Sequence, residues 1–491
     1  MPDYRRKYAT LTMKRNLSIK LAILLTFTVL TLPLPGLSQG NQSLKKLKGY
    51  WIGSLKVQMT QLRLVMNVNA GERDTLIVTF DSPDQGILDL PTDRAAMYGD
   101  SLDVSAQGIG GYLCGRINKA LDTLHGTWKQ GGMSFPILMV GQGKKATLNR
   151  PQEPKPPFPY DTEEITFRNP AGGFDLSGTL TLPNRTGRFP AVILVTGSGP
   201  QNRDEELLGH KPFLVLADYL TRLGYAVFRY DDRGIGKSKG VFGTATTPDF
   251  ATDAEAALDM LRKRPGIDTT KLGIAGHSEG ALVATIVASR RPEIKFVILL
   301  AGPGTTGEEI LLRQSELINR AEGTSDAAIA LTNKLNRDCY LALKKNQDND
   351  QAGRKIRSLM KAYDKARASD TSYHSMTEDM LNAQVATLTS PWFRTFLSFD
   401  PQPYLSQIKC PLLALGGSLD LQVPAKENLD AIERAMIFGG NSSYTVKELP
   451  GLNHLFQTAK TGSPVEYATI EETFSPEAMG DIYKWLQEIT K

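Results

Sequence analysis

The stretch KLGIAGHSEGALVATIVASR, residues 271–290, decides how the rest of the chain is read. It begins as a short apolar strand, turns at Gly276-His277-Ser278-Glu279-Gly280, and continues with helical spacing from residue 279 to 290. This is G-x-S-x-G in the strand–turn–helix context that gives the pattern its meaning. A strand that turns straight into a helix forces the middle residue into a strained conformation, and the small neighbours on either side permit the close approach. Ser278 then projects its Oγ at the edge of a sheet. The helix that starts there supplies unpaired N–H groups and the positive end of its dipole, so an anion forming beside Ser278 is stabilised.

Working outward, AVILVTG (191–197), YAVFRYDDRG (225–234) and KFVILLAG (295–302) are continuous apolar runs, as expected of strands buried on both faces. Helical spacing over 211–223 and 249–263 separates them. The strand candidates EITFRN (164–169) and DLSGTLTLP (175–183) precede them. The alternation predicts an α/β fold, a doubly wound and mostly parallel sheet. It stops at Pro303, and 307–390 is dominated by helical stretches before strand KCPLLALGG (409–417) resumes. An insertion over about 303–403 reads as a helical lid on the C-terminal ends of the strands. SYTVKELPG (443–451) and a final helix over 475–490 complete the pattern.

Residues 48–141 read differently. KGYWIGSLKV, QLRLVMNV, DTLIVTF, LHGTWKQ and SFPILMV are short strands separated by polar turns. They predict a small antiparallel β-sandwich or barrel over 39–148. NRPQEPKPPFPY (149–160) is a proline-dense, semi-rigid spacer that marks a boundary before the α/β domain at 161–491.

The chain of 491 residues is 41% hydrophobic and 22% charged, a globular composition. Its net charge of +5 comes from the leader: residues 1–38 hold six basic residues and one acid, leaving the remainder neutral. The body therefore offers no electrostatic case for a nucleic-acid partner. Basic residues followed by LAILLTFTVLTL (21–32), Pro33 and Pro35 form a signal-peptide pattern with cleavage expected near Ser38. Met13 is a second candidate start. The apolar run is short for a bilayer span, so an exported chain, periplasmic or secreted and without a stable membrane span, is expected, with an uncleaved N-terminal anchor as the alternative. Cys114, Cys339 and Cys410 are odd in number and widely spaced, which is no disulfide framework. Asp231-Asp232-Arg233-Gly234-Ile235-Gly236-Lys237-Ser238 ends like a phosphate-binding loop but has Asp231 where that loop needs glycine, so no nucleotide cofactor is expected. An Asp–Arg pair tying loops together is the reading there. No metal-ligand cluster is evident either.

A serine hydroxyl is a weak nucleophile and needs an adjacent base. The five histidines are His125, His210, His277, His374 and His454. His125 falls in the β-domain and His374 in the lid. His277 is locked in the turn, pointing away from Ser278, and His210 reads as a surface or supporting residue. His454, in a loop after the last strand, is the base candidate. Asp420, in the loop after the strand 409–417, is the carboxylate that would fix its tautomer. The oxyanion donors expected are the backbone N–H of Glu279 and, from the loop Gly197-Ser198-Gly199-Pro200, that of Ser198.

With these pieces in place, residues 161–491 resemble the α/β-hydrolase superfamily. The resemblance rests on GSGP (197–200), RYDDRGIGKS (229–238), GHSEG (276–280), CPLLALGGSLDLQVP (410–424) and LPGLNHLF (449–456), in the chain order Ser278, Asp420, His454. Together with Arg203-Asp204-Glu205, it looks like a branch of secreted bacterial carboxylesterases grouped with prolyl-oligopeptidase-type and serine-aminopeptidase proteins. The resemblance implies a Ser–His–Asp hydrolase of small-molecule esters with a helical lid. Trp392, Phe393, Phe396 and Phe399 read equally as an acyl pocket or as lid–core packing. Two alternatives stand beside it. One is a serine peptidase for short peptides, with Glu308, Glu309 and Glu316 as possible amine receptors or simply a solvated helix face. The other is a non-catalytic, envelope-binding protein.

Overall fold

The structure, a computed structural model, describes residues 47–57, 60–70, 76–82, 87–130, 133–142, 149–368, 373 and 375–491. The leader read at 1–38, the residues up to 46 and His374 lie outside the described residues. The chain divides into two compact units, one holding the N-terminal strands and one spanning Thr147–Lys491.

The first unit consists of β1 (Gly49–Val57), β2 (Thr60–Ala70), β3 (Leu76–Ser82), β4 (Ile87–Pro91), β5 (Arg94–Tyr98), β6 (Ser101–Ala106), β7 (Gly111–Ile117), β8 (Thr123–Gln130) and β9 (Met133–Gln142). They form one sheet in the order β4-β3-β2-β1-β9-β8-β7-β6-β5. Its end strands, β4 and β5, are joined only by Thr92 and Asp93, so the sheet curls until its two ends come close. Period-two alternation sorts the side chains: β6 buries Leu102, Val104 and Ala106 and turns Ser101, Asp103 and Ser105 outward. The inward set includes Trp51, Leu113, Phe80 and Trp128, the last two meeting edge-on with ring centroids 5.1 Å apart.

The second unit runs β10 (Asp161–Asn169), β11 (Phe174–Leu182), β12 (Phe189–Val195), α1 (Pro212–Arg222), β13 (Ala226–Tyr230), α2 (Thr247–Leu261), β14 (Ile267–His277), α3 (Glu279–Arg290) and β15 (Val297–Leu300). Six helices follow: α4 (Gly307–Ala321), α5 (Asp326–Lys345), α6 (Asn349–Ala366), α7 (Glu378–Leu388), α8 (Pro391–Leu397) and α9 (Gln402–Leu405). The unit closes with β16 (Leu412–Gly417), α10 (Ala425–Phe438), β17 (Tyr444–Leu449) and α11 (Pro476–Ile489). The sheet order is β10-β11-β13-β12-β14-β15-β16-β17, antiparallel at β10–β11 and β11–β13 and parallel from β13 to β17.

The continuous apolar runs are explained by burial on both faces. Along β12, Ala191, Ile193 and Val195 join the core shared with α2, α3 and α10, while Val192 and Leu194 join the core under α1 and α11. The insertion α4–α9 has a small core of its own, including Tyr340, Leu343, Ile356, Met360 and Phe393. Its longer helices each start on a capping side chain: Thr306, Ser325, Asp348 and Thr377 all accept a backbone N–H.

The proline-rich segment is fastened rather than free. The Arg150 guanidinium donates to the carbonyls of Leu208, Gly209, Ala468 and Ile470, and Gln152 bonds Thr473 and Phe474. His210, read from sequence as a surface or supporting residue, is fully buried; its ring lies 2.9 Å from the Thr473 hydroxyl and 2.9 Å from the Tyr467 carbonyl. All three cysteines are free; burial pushes the Cys410 thiol up to about 11 and the Cys339 thiol up to about 12.

The elbow itself is steric. Ser278 sits at φ 54° and ψ −118°, a conformation costly for a non-glycine residue. A Cβ at position 276 would collide with the Gly280 carbonyl, and one at 280 would collide with the Val195 and Thr196 carbonyls. Gly280→Ala should therefore destabilise the protein by about 3 kcal/mol or more, read by urea unfolding; a change under about 0.5 kcal/mol contradicts this packing. His210 gives a second prediction. Burial first, and the Arg150 charge second, lower its pKa to about 4. The unfolded chain thus binds a proton that the folded one refuses. Stability should be full above pH about 6.5 and fall by about 3 kcal/mol as pH drops to about 4. Melting curves across that window should show less acid loss in His210→Gln than in the parent; equal loss contradicts it.

Candidate active site

The candidate residues lie at the C-terminal ends of the parallel strands, where open α/β sheets bind ligands. Ser278 follows β14, Asp420 follows β16 and His454 follows β17. Asp420 and His454 are joined: Nδ1 of His454 lies 2.8 Å from Oδ2 of Asp420, both side chains being buried. The other Asp420 oxygen accepts the backbone N–H groups of Gln422 and Val423, each at 2.8 Å, so the carboxylate is oriented before it meets the imidazole. Asn453 shapes the histidine loop, its Oδ1 accepting the N–H of Leu455 and of Gln457. Nε2 of His454 and the Ser278 hydroxyl are hydrogen-bonded to no other group among the described residues, and not to each other. Catalytic hydrogen bonds are often long before substrate binds.

The two expected oxyanion donors lie on different elements. Glu279 opens α3, so its N–H is one of the unpaired donors at that helix start. In the loop after β12, the Gly197 N–H is committed to Glu205 Oε1 at 2.7 Å. The Ser198 N–H carries no hydrogen bond among the described residues.

This loop is held by three carboxylates. Asp232 accepts from the Thr196 hydroxyl and the Gln201 N–H, both at 2.9 Å. Asp231 takes the Arg203 guanidinium at 2.7 Å and the Arg203 N–H at 3.0 Å. Glu205 holds Gly197. The Asp–Arg reading of 231–233 gains its partners here: Asp231 pairs with Arg203, and Arg233 pairs with Asp253 at 2.7 Å. Lys237 and Ser238, the ending that mimics a phosphate loop, bond Glu164 and the Asp231 carbonyl.

His277 is buried against the site. One ring nitrogen lies 2.9 Å from Glu205 Oε1 and the other 2.8 Å from the His454 carbonyl. Burial alone would lower its pKa, but the charge and hydrogen bond of Glu205 raise it above the usual value. The Glu279 side chain is buried too. It accepts from the Thr247 hydroxyl at 2.6 Å and from Trp392 Nε1 at 2.8 Å, tying α2 and α8 to α3. Burial raises its pKa, and these donors with Ser198 act against the rise.

Sequence reasoning missed Glu205, the contacts of His277 and the Glu279–Trp392 link. The only signal was the run of charged residues 203–205 directly after a glycine-rich loop. The four aromatics of 392–399 divide: Phe393 belongs to the insertion core and Phe396 and Phe399 to the sheet core, leaving Trp392 partly exposed. Glu308 pairs with Lys344, Glu309 caps the start of α4, and Glu316 pairs with Arg313, so each is engaged. No cluster of three or more potential metal ligands occurs among the described residues. No helix among them is long and apolar enough to cross a membrane.

Residues 211–457 match the family described as serine aminopeptidase, S33. Among curated proteins, esterase EstD of Thermotoga maritima is 29% identical over 191 residues, covering 37% of this chain and 44% of EstD. The uncharacterized protein YfhR of Escherichia coli O157:H7 is 29% identical over 145 residues, covering 29% of this chain and 48% of YfhR. The chain thus spans less than half the length of these relatives. Among solved structures, the esterase Pf2001 of Pyrococcus furiosus is 17% identical and covers 71% of this chain and 100% of its own, with a TM-score of 0.42. Est1E of Butyrivibrio proteoclasticus, solved with ferulic acid, is 16% identical and covers 66% of this chain and 97% of its own, with a TM-score of 0.38. The family match takes in half of the chain, and it begins and ends within the unit that carries Ser278, Asp420 and His454; the chain belongs to the serine aminopeptidase, S33, family of α/β-hydrolases.

Proposed function

We propose that this protein is a serine carboxylesterase that cleaves small-to-medium acyl esters through an acyl-enzyme. Ser278 is the nucleophile, His454 the base, Asp420 its orienting carboxylate, and the Glu279 and Ser198 N–H groups the oxyanion donors. The observation that carries this reading is the buried Asp420–His454 pair at the same strand ends as a strained, glycine-flanked serine.

The chemistry follows from these positions. As Ser278 Oγ bonds to the ester carbonyl carbon, its proton passes to His454 Nε2 and the carbonyl electron pair moves onto oxygen. Asp420 holds Nδ1–H and stabilises the imidazolium. The two N–H groups receive the oxyanion at the dipole's positive end. Collapse breaks the bond to the alcohol, which leaves with the proton from His454. Water then gives a proton to His454 and attacks the acyl carbon, and the acid departs as Oγ regains its proton.

Two features favour an ester over a peptide. EstD, a relative over part of the chain, is named as an esterase. The acidic residues of α4 that a peptide's amino terminus would need are engaged elsewhere. Export through the leader read at 1–38 belongs to this reading.

Ser278→Ala should lower kcat on p-nitrophenyl acyl esters by about a million-fold. Retained activity in that variant points to another site. Comparing kcat/KM for these esters with that for aminoacyl anilides separates esterase from peptidase, and faster anilide turnover overturns the proposal. Failure of a fluorophosphonate probe to label Ser278 in the parent would favour a non-catalytic role.

A further inference from the structure

We propose that Glu205 and His277 form a buried positioning dyad that ties the oxyanion loop and the His454 loop to the nucleophile turn and presents a positive charge to the His454 ring; this rests on the assignment of Ser278, Asp420 and His454 above. The proton count comes from geometry. His277 Nε2 lies 2.8 Å from the His454 carbonyl, which can only accept, so Nε2 carries hydrogen. Nδ1 lies 2.9 Å from Glu205 Oε1, an oxygen that already accepts the Gly197 N–H at 2.7 Å. An oxygen accepting from one donor and facing another nitrogen fits a carboxylate, and then Nδ1 also carries hydrogen. In the proposed dyad His277 is an imidazolium with both donors used. The two side chains are only 8% and 5% exposed, where neither charge is tolerated without the other.

The backbone at Glu205 supports a built device. Glu205 has φ 52°, the left-handed region that a side chain of this size avoids, and strain of this kind persists only where the surroundings over-determine it. The pair spans three separate elements. Glu205 belongs to the loop after β12, His277 is bonded directly to Ser278, and His454 follows β17.

The charge has a direction. The His277 and His454 rings lie 4.8 Å apart between centroids, and Phe456 closes another side of His277 at 6.3 Å. The charged or titratable groups facing His277 are Glu205 from the oxyanion loop, His454, and beyond it Asp420. A cation at His277 opposes protonation of His454, whereas Asp420 favours it.

The test is the rate of phosphonylation by a fluorophosphonate as a function of pH, on the full chain and on His277→Gln and Glu205→Gln. His277→Gln should react on the order of 10- to 100-fold more slowly, with the acid limb moved up by about one pH unit. Glu205→Gln, nearly isosteric, should shift it in the same direction by removing the counter-ion that keeps His277 charged. Variants that react at the parent rate, or that slow down with the acid limb unmoved, overturn the dyad; the latter marks a packing role alone. If His277→Gln lacks the parent's near-ultraviolet circular dichroism, the acid limb of Glu205→Gln decides. A parent that is not labelled removes the catalytic assignment and the dyad with it, a result distinct from a labelled parent with unshifted variants.

Discussion

The turn at Ser278 can exist only because α3 packs its first residues directly onto the end of β12. Gly276 and Gly280 leave no room for a Cβ, and the Val195 and Thr196 carbonyls occupy the space where the side chain of residue 280 would lie. The strain at Ser278 is held in place by this contact between a central strand and the helix beside it, both in the most deeply buried part of the second unit. Everything else in the site is brought to that fixed point. The α3 N-terminus faces the serine because the serine is its first flanking residue, and the loop after β12 faces it because β12 and β14 are neighbours.

What surrounds the turn is a set of buried carboxylates that bond backbone N–H groups. Asp420 holds Gln422 and Val423, Asp232 holds Gln201, Asp231 holds Arg203, and Glu205 holds Gly197. A buried carboxylate is costly unless its oxygens are satisfied, and here satisfying them fixes loop geometry. Under the proposed mechanism, loops shaped in this way need little rearrangement as negative charge develops on a substrate, which is the physical content of preorganisation. The cost is visible at Asp232, whose burial drives its carboxyl well above the usual range despite the donors around it.

How far the sequence could be read depended on the range of the interaction. The G-x-S-x-G turn is local and steric, so its glycines and the α3 start were legible from five residues. The alternation of β12 between two cores was legible as an unbroken apolar run. Asp420 and His454 were legible by position in chain order, and they meet in space. Partners fixed only by the fold were not. His277 was read as turned away from Ser278, but nothing in the chain says that its ring reaches a carbonyl 177 residues later. Glu205 sits 72 residues from His277 and depends on a left-handed backbone that no propensity predicts. The Asp–Arg run at 231–233 read as pairing between loops but did not name the partners, which the strand end supplies as two different neighbours, Arg203 and Asp253. The aromatics of α8 were recognisable as apolar, but helical spacing does not say which of two cores each one enters.

The most direct measurement is a crystal structure of the protein after reaction with a fluorophosphonate. The account requires phosphorus bonded to Ser278 Oγ, its phosphoryl oxygen accepting from the Glu279 and Ser198 N–H groups, and the His454 imidazole within hydrogen-bonding distance of Oγ. An adduct on another residue, or a bonded Ser278 with the His454 ring turned away and its carboxylate contact broken, would contradict it.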